Sequence, residues 1–342
     1  DIGHTTPDTL TLHESLAEFR DRGARFVAME VSSHALAQDR LAGVPVSVAG
    51  FTNLSRDHLD YHGDMEGYFI AKQRLFNCHA ISAAVINTAD AFGARLAGSL
   101  PANVRCVRVG DGQADIRCLE TRLDSNGMQV RMAIGADTIA LQSSLYGRFN
   151  IDNLMIVAGM LAIQGVDVRA IERALAAVTP VPGRMQPVRE GKGPTVLVDY
   201  AHTPDGLEKA LHASREHFRG RLWCVVGCGG NRDAGKRPLM GTVACEQAHQ
   251  VWLTSDNPRS EKPESILQEI CAGIAQAEMG KVHVEADRPV AIEFAIRNAN
   301  AQDVVLLAGK GHESTQTIGT QVIAHSDAQC ASAVLGKRGA HA

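Results

Sequence analysis

An α/β fold is predicted by two observations. Short apolar, strand-like runs alternate with segments of helical periodicity from end to end, the pattern of largely parallel sheets covered by helices. The clusters densest in reactive side chains fall just past the carboxyl ends of those runs, where open α/β sheets bind ligands. Taken in order, Thr6-Pro7-Asp8 caps a helix expected to begin near Pro7, with proline at its first position. Strands are expected over residues 25–31, 46–52, 83–87 and 104–109, and an amphipathic helix over 65–76. A helix over 171–178 is broken by Thr179-Pro180-Val181-Pro182-Gly183, which places a domain boundary there, giving domains 1–182 and 183–342. In the second domain strands are expected over 195–199, 222–226, 250–254 and 304–307, and Thr203-Pro204 starts a helix.

The 342 residues are 45% hydrophobic and 21% charged, which suits two globular domains with separate cores. A formal charge of −4 and a pI near 6.4 leave no electrostatic footprint for nucleic acid, so no nucleic-acid partner is expected. No apolar run approaches the roughly 18 residues that span a membrane, so no membrane insertion is expected either. Eight cysteines are scattered without paired spacing, Cys224 and Cys228 being closest, and read as reduced core thiols of a cytoplasmic protein.

Four stretches carry chemistry. Glu30-Val31-Ser32-Ser33-His34 combines a carboxylate, two hydroxyls and an imidazole at a strand end. The run from Asn53 to Gly63 is dense in oxygen and nitrogen donors, either a ligand-binding loop or a polar cap for a helix begun by Ser55 or Asp57. Asp199-Tyr200-Ala201-His202 precedes the helix start at Thr203. Asp256-Asn257-Pro258-Arg259 follows the apolar run 251–254; it reads as a turn, or as a loop offering Arg259 as a bidentate clamp for a carboxylate. A fifth stretch, Gly230 to Arg237, nearly fits the phosphate loop G-x-x-x-x-G-K-[ST], but Arg237 stands where a hydroxyl should meet Mg²⁺.

Together these stretches resemble the Mur ligases, and within them those that add meso-diaminopimelate. The match includes Thr5-Thr6-Pro7, Met29 through His34, Asn53 through Gly63 with Tyr68-Phe69-Ile70-Ala71-Lys72, and Gly147-Arg148-Phe149-Asn150. It continues in order through Gly183-Arg184-Met185, Val198 through Pro204, Gly229 through Pro238, Asp256 to Arg259 and Gly309-Lys310-Gly311-His312-Glu313. The resemblance implies a central ATPase domain with an incomplete phosphate-loop-type parallel sheet, followed by a Rossmann-like domain that binds the incoming amino acid. Family members carry a uridine-diphosphate-binding domain and a phosphate loop that would both precede Asp1, so the chain is expected to be an amino-terminally truncated piece, inactive by itself.

The implied reaction is ATP-dependent: the γ-carboxylate of the D-glutamyl residue of UDP-MurNAc-L-Ala-D-Glu becomes an acyl phosphate, and an amine of meso-diaminopimelate displaces the phosphate. On the family pattern Glu30, His58 and a carbamylated Lys72 are the catalytic and Mg²⁺-binding groups. A bare ammonium about 4 Å from a divalent cation would cost several kcal/mol at an effective dielectric near 20; carbamylation reverses its sign. The same pattern assigns Thr5, Thr6, Ser32, Gln38 and Arg40 to the muramoyl dipeptide, and Asn150, Arg184, Asp199 and His202 to the nucleotide. Arg232, Asp256, Asn257, Pro258, Arg259, Gly309 and Glu313 fall to diaminopimelate, with Glu313 pairing the distal ammonium and Arg259 the distal carboxylate. A cytoplasmic monomer in peptidoglycan precursor synthesis is the expectation. The alternatives are a catalytically dead piece that retains only amino-acid binding, and a related ligase of the folylpolyglutamate type.

Overall fold

The computed structural model describes residues 5–77, 81–190 and 193–339. Contacts divide them into two compact units. The first holds residues up to Glu120, Arg131–Leu141 and Ile151–Leu175; the second holds Thr121–Val130, Gln142–Asn150 and everything from Ala176 onward. The segments 121–130 and 142–150, which lie before the boundary read from the sequence, thus pack with the second unit.

The sheet that begins in the first unit runs β1 (Val48–Phe51), β2 (Ala83–Asn87), β3 (Arg105–Val109), β4 (Ile116–Asp124), β5 (Gly127–Ile134) and β6 (Asp137–Ser143), each beside the next. The first three are parallel, with Val48 opposite Ala83 and Ala83 opposite Arg105. Two-residue connections join β4 to β5 and β5 to β6, and only antiparallel neighbours can be linked so tightly. The helix Phe149–Ile163 lies close on β2: a Cβ added at Gly159 would stand 2.7 Å from a Val85 methyl, so glycine is what permits the approach. Leu36, Phe51, Phe69, Phe76, Ile86 and Leu96 fill the core.

Two expectations are corrected here. Residues 25–31 form no strand; Phe26 and Val27 are exposed, and no described strand offers them a ladder of partners. The first helix runs Thr9–Asp21, later than expected, because Asp8 is its cap: the carboxylate accepts the amides of Leu10 and Thr11, which leaves Pro7 outside.

In the second unit β7 (Gln186–Val188), β8 (Thr195–Asp199), β9 (Leu222–Val226), β10 (Gln250–Leu253), β11 (Val282–Val284) and β12 (Val304–Ala308) form a sheet in the order β11-β10-β9-β12-β8-β7. All pairs are parallel except β7 with β8. Along β9 alternate residues enter opposite cores: Leu222, Cys224 and Val226 join one cluster, Trp223 and Val225 the other. A strand buried on both faces reads as a continuous apolar run, which is why it is visible in sequence. Burial pushes the thiols of Cys224 and Cys228 up to about 12. An antiparallel hairpin, β13 (Thr315–Ile318) and β14 (Gln321–Ala324), stands apart. Behind β12 the fully buried Arg288 and Asp327 pair at 2.6 Å, and Arg288 also donates to the Ala308 carbonyl.

His217 ties three segments of this unit. The Gly147 amide donates to Nε2 at 2.9 Å, which requires Nδ1 to carry the proton that meets the Asp124 carbonyl at 2.9 Å. The ring is therefore neutral, and burial holds its pKa below that of free imidazole. On acidification from about pH 6.5 the unfolded chain takes up this proton before the folded one, so stability falls until the folded pKa is reached. His217→Gln keeps an acceptor without a titrating group. Its melting temperature is expected to vary less steeply than wild type between about pH 7.5 and pH 5.5, measured by calorimetry.

Candidate active site

In the first unit the loop after β1 and the helix Met65–Asn77 bring imidazoles, carboxylates and a lysine together. His58 takes a left-handed backbone, φ 55°, its amide held by the Asp57 carboxylate at 2.8 Å, and this turns its ring toward His34 at 4.9 Å between centroids. His34 also lies 4.2 Å from the Tyr61 ring, and His62 stacks on Tyr68 while hydrogen-bonding the buried Ser33 hydroxyl at 2.9 Å. Burial first, and neighbouring imidazoles second, push His34 and His62 down. Lys72 sits one helical turn past Tyr68, its Nζ 5.3 Å from the ring centre. Burial lowers its pKa, opposed by the nearby charges of Glu30 and Asp57. Burial and the same two carboxylates push the Tyr68 hydroxyl up to about 12.

The remaining first-unit residues form a hydrogen-bonded shelf. The buried Thr6 hydroxyl donates to the Glu30 carbonyl and accepts the Ser32 amide, each at 3.0 Å. Arg40 donates to the Thr6 carbonyl at 2.8 Å and, through Nε and Nη2, to the Gln38 side-chain oxygen at 2.9 and 2.6 Å. Ser32 spends its hydroxyl capping the short helix Ser33–Ala37. Thr5 is exposed.

In the second unit the carboxyl ends of β8, β9, β10 and β12 supply adjacent loops. Asp199, closing β8, accepts the amides of Met185 and Ala201, both at 2.8 Å, although burial outweighs these bonds and raises its pKa. The Arg184 guanidinium lies 4.7 Å over the Tyr200 ring, which His202 and His312 also flank. Asn150 donates to the Tyr146 carbonyl at 2.8 Å.

The loop after β10 meets the loop after β12. Asp256 and Asn257 are buried, and Asn257 donates to Glu313 at 2.8 Å. Gly309, at φ 111°, has no room for a side chain, since a Cβ would stand 2.7 Å from the Asp256 carboxylate. Arg259 is half-buried and left-handed, φ 54°, a conformation that costs a non-glycine residue roughly 1–2 kcal/mol. It is held there by the hairpin: its amide donates to the Thr317 carbonyl at 3.0 Å and its carbonyl accepts the Gly319 amide at 2.6 Å. Its guanidinium touches only the carbonyls of Gly230, at 2.8 Å, and Asn257, so among the described residues no carboxylate neutralises it. Gly229 and Gly230 pack directly on Pro258 and Arg259; a Cβ at Gly229 would lie 2.9 Å from the Arg259 Nη1 and 3.7 Å from the exposed Arg232. This cluster can hold a zwitterion, with cations at Arg259 and Arg232 and carboxylates at Asp256 and Glu313.

Sequence reasoning missed three supporting groups. Arg237, in the near phosphate loop, turns inward and pairs with Glu261 and Glu269 at 2.9 Å, while Lys236 donates to the His202 carbonyl, so that loop is a brace joining the Arg232 and Arg259 segments. Gln316 donates to the Asp256 carbonyl at 2.7 Å. Lys310 is fully buried against Glu313 and Asn257. The G-K-G-H-E string holds Lys310, but nothing local to it signals burial.

Known proteins resemble this chain in sequence and fold. Residues 1–161 match the model of the Mur ligase middle domain, and residues 183–311 that of the Mur ligase glutamate ligase domain. The UDP-N-acetylmuramoyl-L-alanyl-D-glutamate–2,6-diaminopimelate ligase of Chromobacterium violaceum is 47% identical over 98% of this chain and 69% of its own length. The protein of that name from Xylella fastidiosa strain 9a5c is 48% identical over 92% of this chain and 64% of its own. A solved structure of a ligase with that name superposes with a TM-score of 0.70 at 37% identity, covering 98% of this chain and 69% of the other. The chain thus spans about two thirds of the length of these relatives.

Proposed function

The chain belongs to the Mur ligase family, and on that premise we propose that it carries the catalytic and amino-acid-binding parts of an ATP-dependent carbon–nitrogen ligase that joins meso-diaminopimelate to UDP-MurNAc-L-Ala-D-Glu. The observation that carries the substrate choice is Arg259, a half-buried guanidinium without a carboxylate partner among the described residues, in the same loop as Asn257, which donates to Glu313. Diaminopimelate brings one more carboxylate than lysine, which is the charge this site lacks.

The γ-carboxylate oxygen of the D-glutamyl residue takes the terminal phosphoryl group of ATP and ADP leaves. An unprotonated amine of diaminopimelate then attacks the acyl carbon, the amide bond forms as inorganic phosphate departs, and the amine proton is released. Thr5, Thr6, Ser32, Gln38 and Arg40 are assigned to the muramoyl dipeptide, with Arg40 supplying charge to its carboxylate. Asn150, Arg184, Asp199 and His202 are assigned to the nucleotide. Arg232, Asp256, Asn257, Pro258, Arg259, Gly309 and Glu313 hold the amino acid.

Glu30, His58 and a carbamylated Lys72 would hold Mg²⁺, which supplies neutralisation of the phosphate charge during transfer. The residues fit: burial lowers the Lys72 pKa, favouring the neutral amine that adds to carbon dioxide, and two carboxylates stand near it. No helix among the described residues is long and apolar enough to cross a membrane; a monomer acting in the cytoplasm, where ATP is supplied, completes the proposal.

The reading is tested with the full-length protein by phosphate release. Release is expected only when ATP, the muramoyl dipeptide and diaminopimelate are all present, with the tripeptide product seen by mass spectrometry. Product formed equally well from an amino acid that lacks a distal carboxylate would overturn the assignment.

A further inference from the structure

We propose that Lys310 is a positioning residue for the incoming amino acid: its buried ammonium orients Asn257 and Glu313 so that one Glu313 oxygen stays free for an ammonium group of the substrate. The proposal rests on the amino-acid-binding role given to this pocket above.

The orientation of Asn257 follows from its partners. The Thr317 backbone amide, which can only donate, meets Oδ1 at 3.0 Å, and Lys310 Nζ, also only a donor, meets the same oxygen at 3.1 Å. The side-chain nitrogen of Asn257 must then face Glu313, and it donates to Oε2 at 2.8 Å. Lys310 donates to that same Oε2 at 2.8 Å. Two donors converge on one oxygen, which suits an ionised carboxylate. Oε1 takes no donor among the described residues, and the Glu313 side chain is 31% exposed where Lys310 is 0% exposed.

The inner side of the carboxylate is therefore saturated by protein and its outer oxygen is open to a ligand. A fully buried ammonium is costly to desolvate, and an apolar side chain would fill the same space without that cost. The ion pair does more than pack: it joins the loop after β12 to the loop after β10, and through Thr317 to the hairpin that holds Arg259 in its left-handed conformation. One lysine thus couples the placement of the site's carboxylate to that of its guanidinium.

In the full-length protein, Lys310→Met is expected to raise the KM for diaminopimelate about 10²-fold, as when one partner of a buried pair is removed. The KM values for ATP and the muramoyl dipeptide should stay within about threefold. Without substrates, amide exchange at Asn257 and Thr317 should speed up by at least about tenfold. Lys310→Gln keeps one donor for this cluster without the charge and serves if Lys310→Met does not fold; there too the KM for diaminopimelate is expected to rise while the other two stay within about threefold. An unchanged KM for diaminopimelate, or a parallel rise in all three KM values, overturns the proposal. A wild type that uses no diaminopimelate overturns the functional reading instead. Amide exchange then judges Lys310 alone, and unchanged exchange overturns its role too.

Discussion

Lys72→Ala in the full-length protein is expected to lose about 10³-fold in turnover, the scale seen when a single preorganised charge that meets the transition state is removed. The expectation follows from the position of the side chain on the helix Met65–Asn77, half-buried beside Tyr68 with Glu30 and Asp57 acting on its charge. Carbon dioxide adds to a neutral amine, forming an N–C bond and releasing one proton, so the lowered pKa favours the modification and the product is an anion where a cation stood. Short carboxylic acids fit the space vacated in the alanine variant with the same charge. Acetate or propionate should restore part of the turnover, and depletion of carbon dioxide should slow the wild type. Full activity of Lys72→Ala, or rescue by no acid together with an unmodified lysine by mass spectrometry, would remove Lys72 from the mechanism.

Arg259 carries the second large effect. Wild type is expected to prefer meso-diaminopimelate over L-lysine by at least about 10² in kcat/KM, because lysine leaves the guanidinium uncompensated in a closed pocket, and breaking one side of a buried pair costs about 3–5 kcal/mol. An exposed pair would yield only about 0–1 kcal/mol, so the measured ratio reports how far the half-buried arginine is enclosed once substrate is bound. Arg259→Ala should erase most of the preference by damaging diaminopimelate use far more than lysine use. Similar kcat/KM for both amino acids in the wild type would reduce Arg259 to a turn residue.

The degree to which the fold is visible in sequence follows from burial. Strands β8 and β9 fall where their apolar runs place them, because both faces of each are covered. The three strands β4, β5 and β6 escape notice because polar or charged residues interrupt the apolar ones, as do Arg117, Glu120 and Arg122 in β4 and Gln129 and Arg131 in β5. The hairpin β13–β14 is largely exposed, and its only apolar run, Val322-Ile323-Ala324, is three residues long. In the opposite direction, residues 25–31 have the composition of a strand but no described neighbour to pair with.

By itself the sequence determines the α/β class, half the strands of the first sheet and most of the second, and the chemical character of the site: carboxylates, imidazoles and a lysine in the first unit, and a guanidinium, carboxylates and glycines in the second. These are local properties, written in side-chain type and short spacing. Only the tertiary structure decides direction and environment. Arg259 reaches its left-handed conformation through hydrogen bonds to Thr317 and Gly319, and Lys310 becomes a buried counter-ion by meeting Asn257, 53 residues away along the chain. An ammonium near a chain turn is by default solvated; it is confined only when distant segments close over it and supply the partners that offset its desolvation.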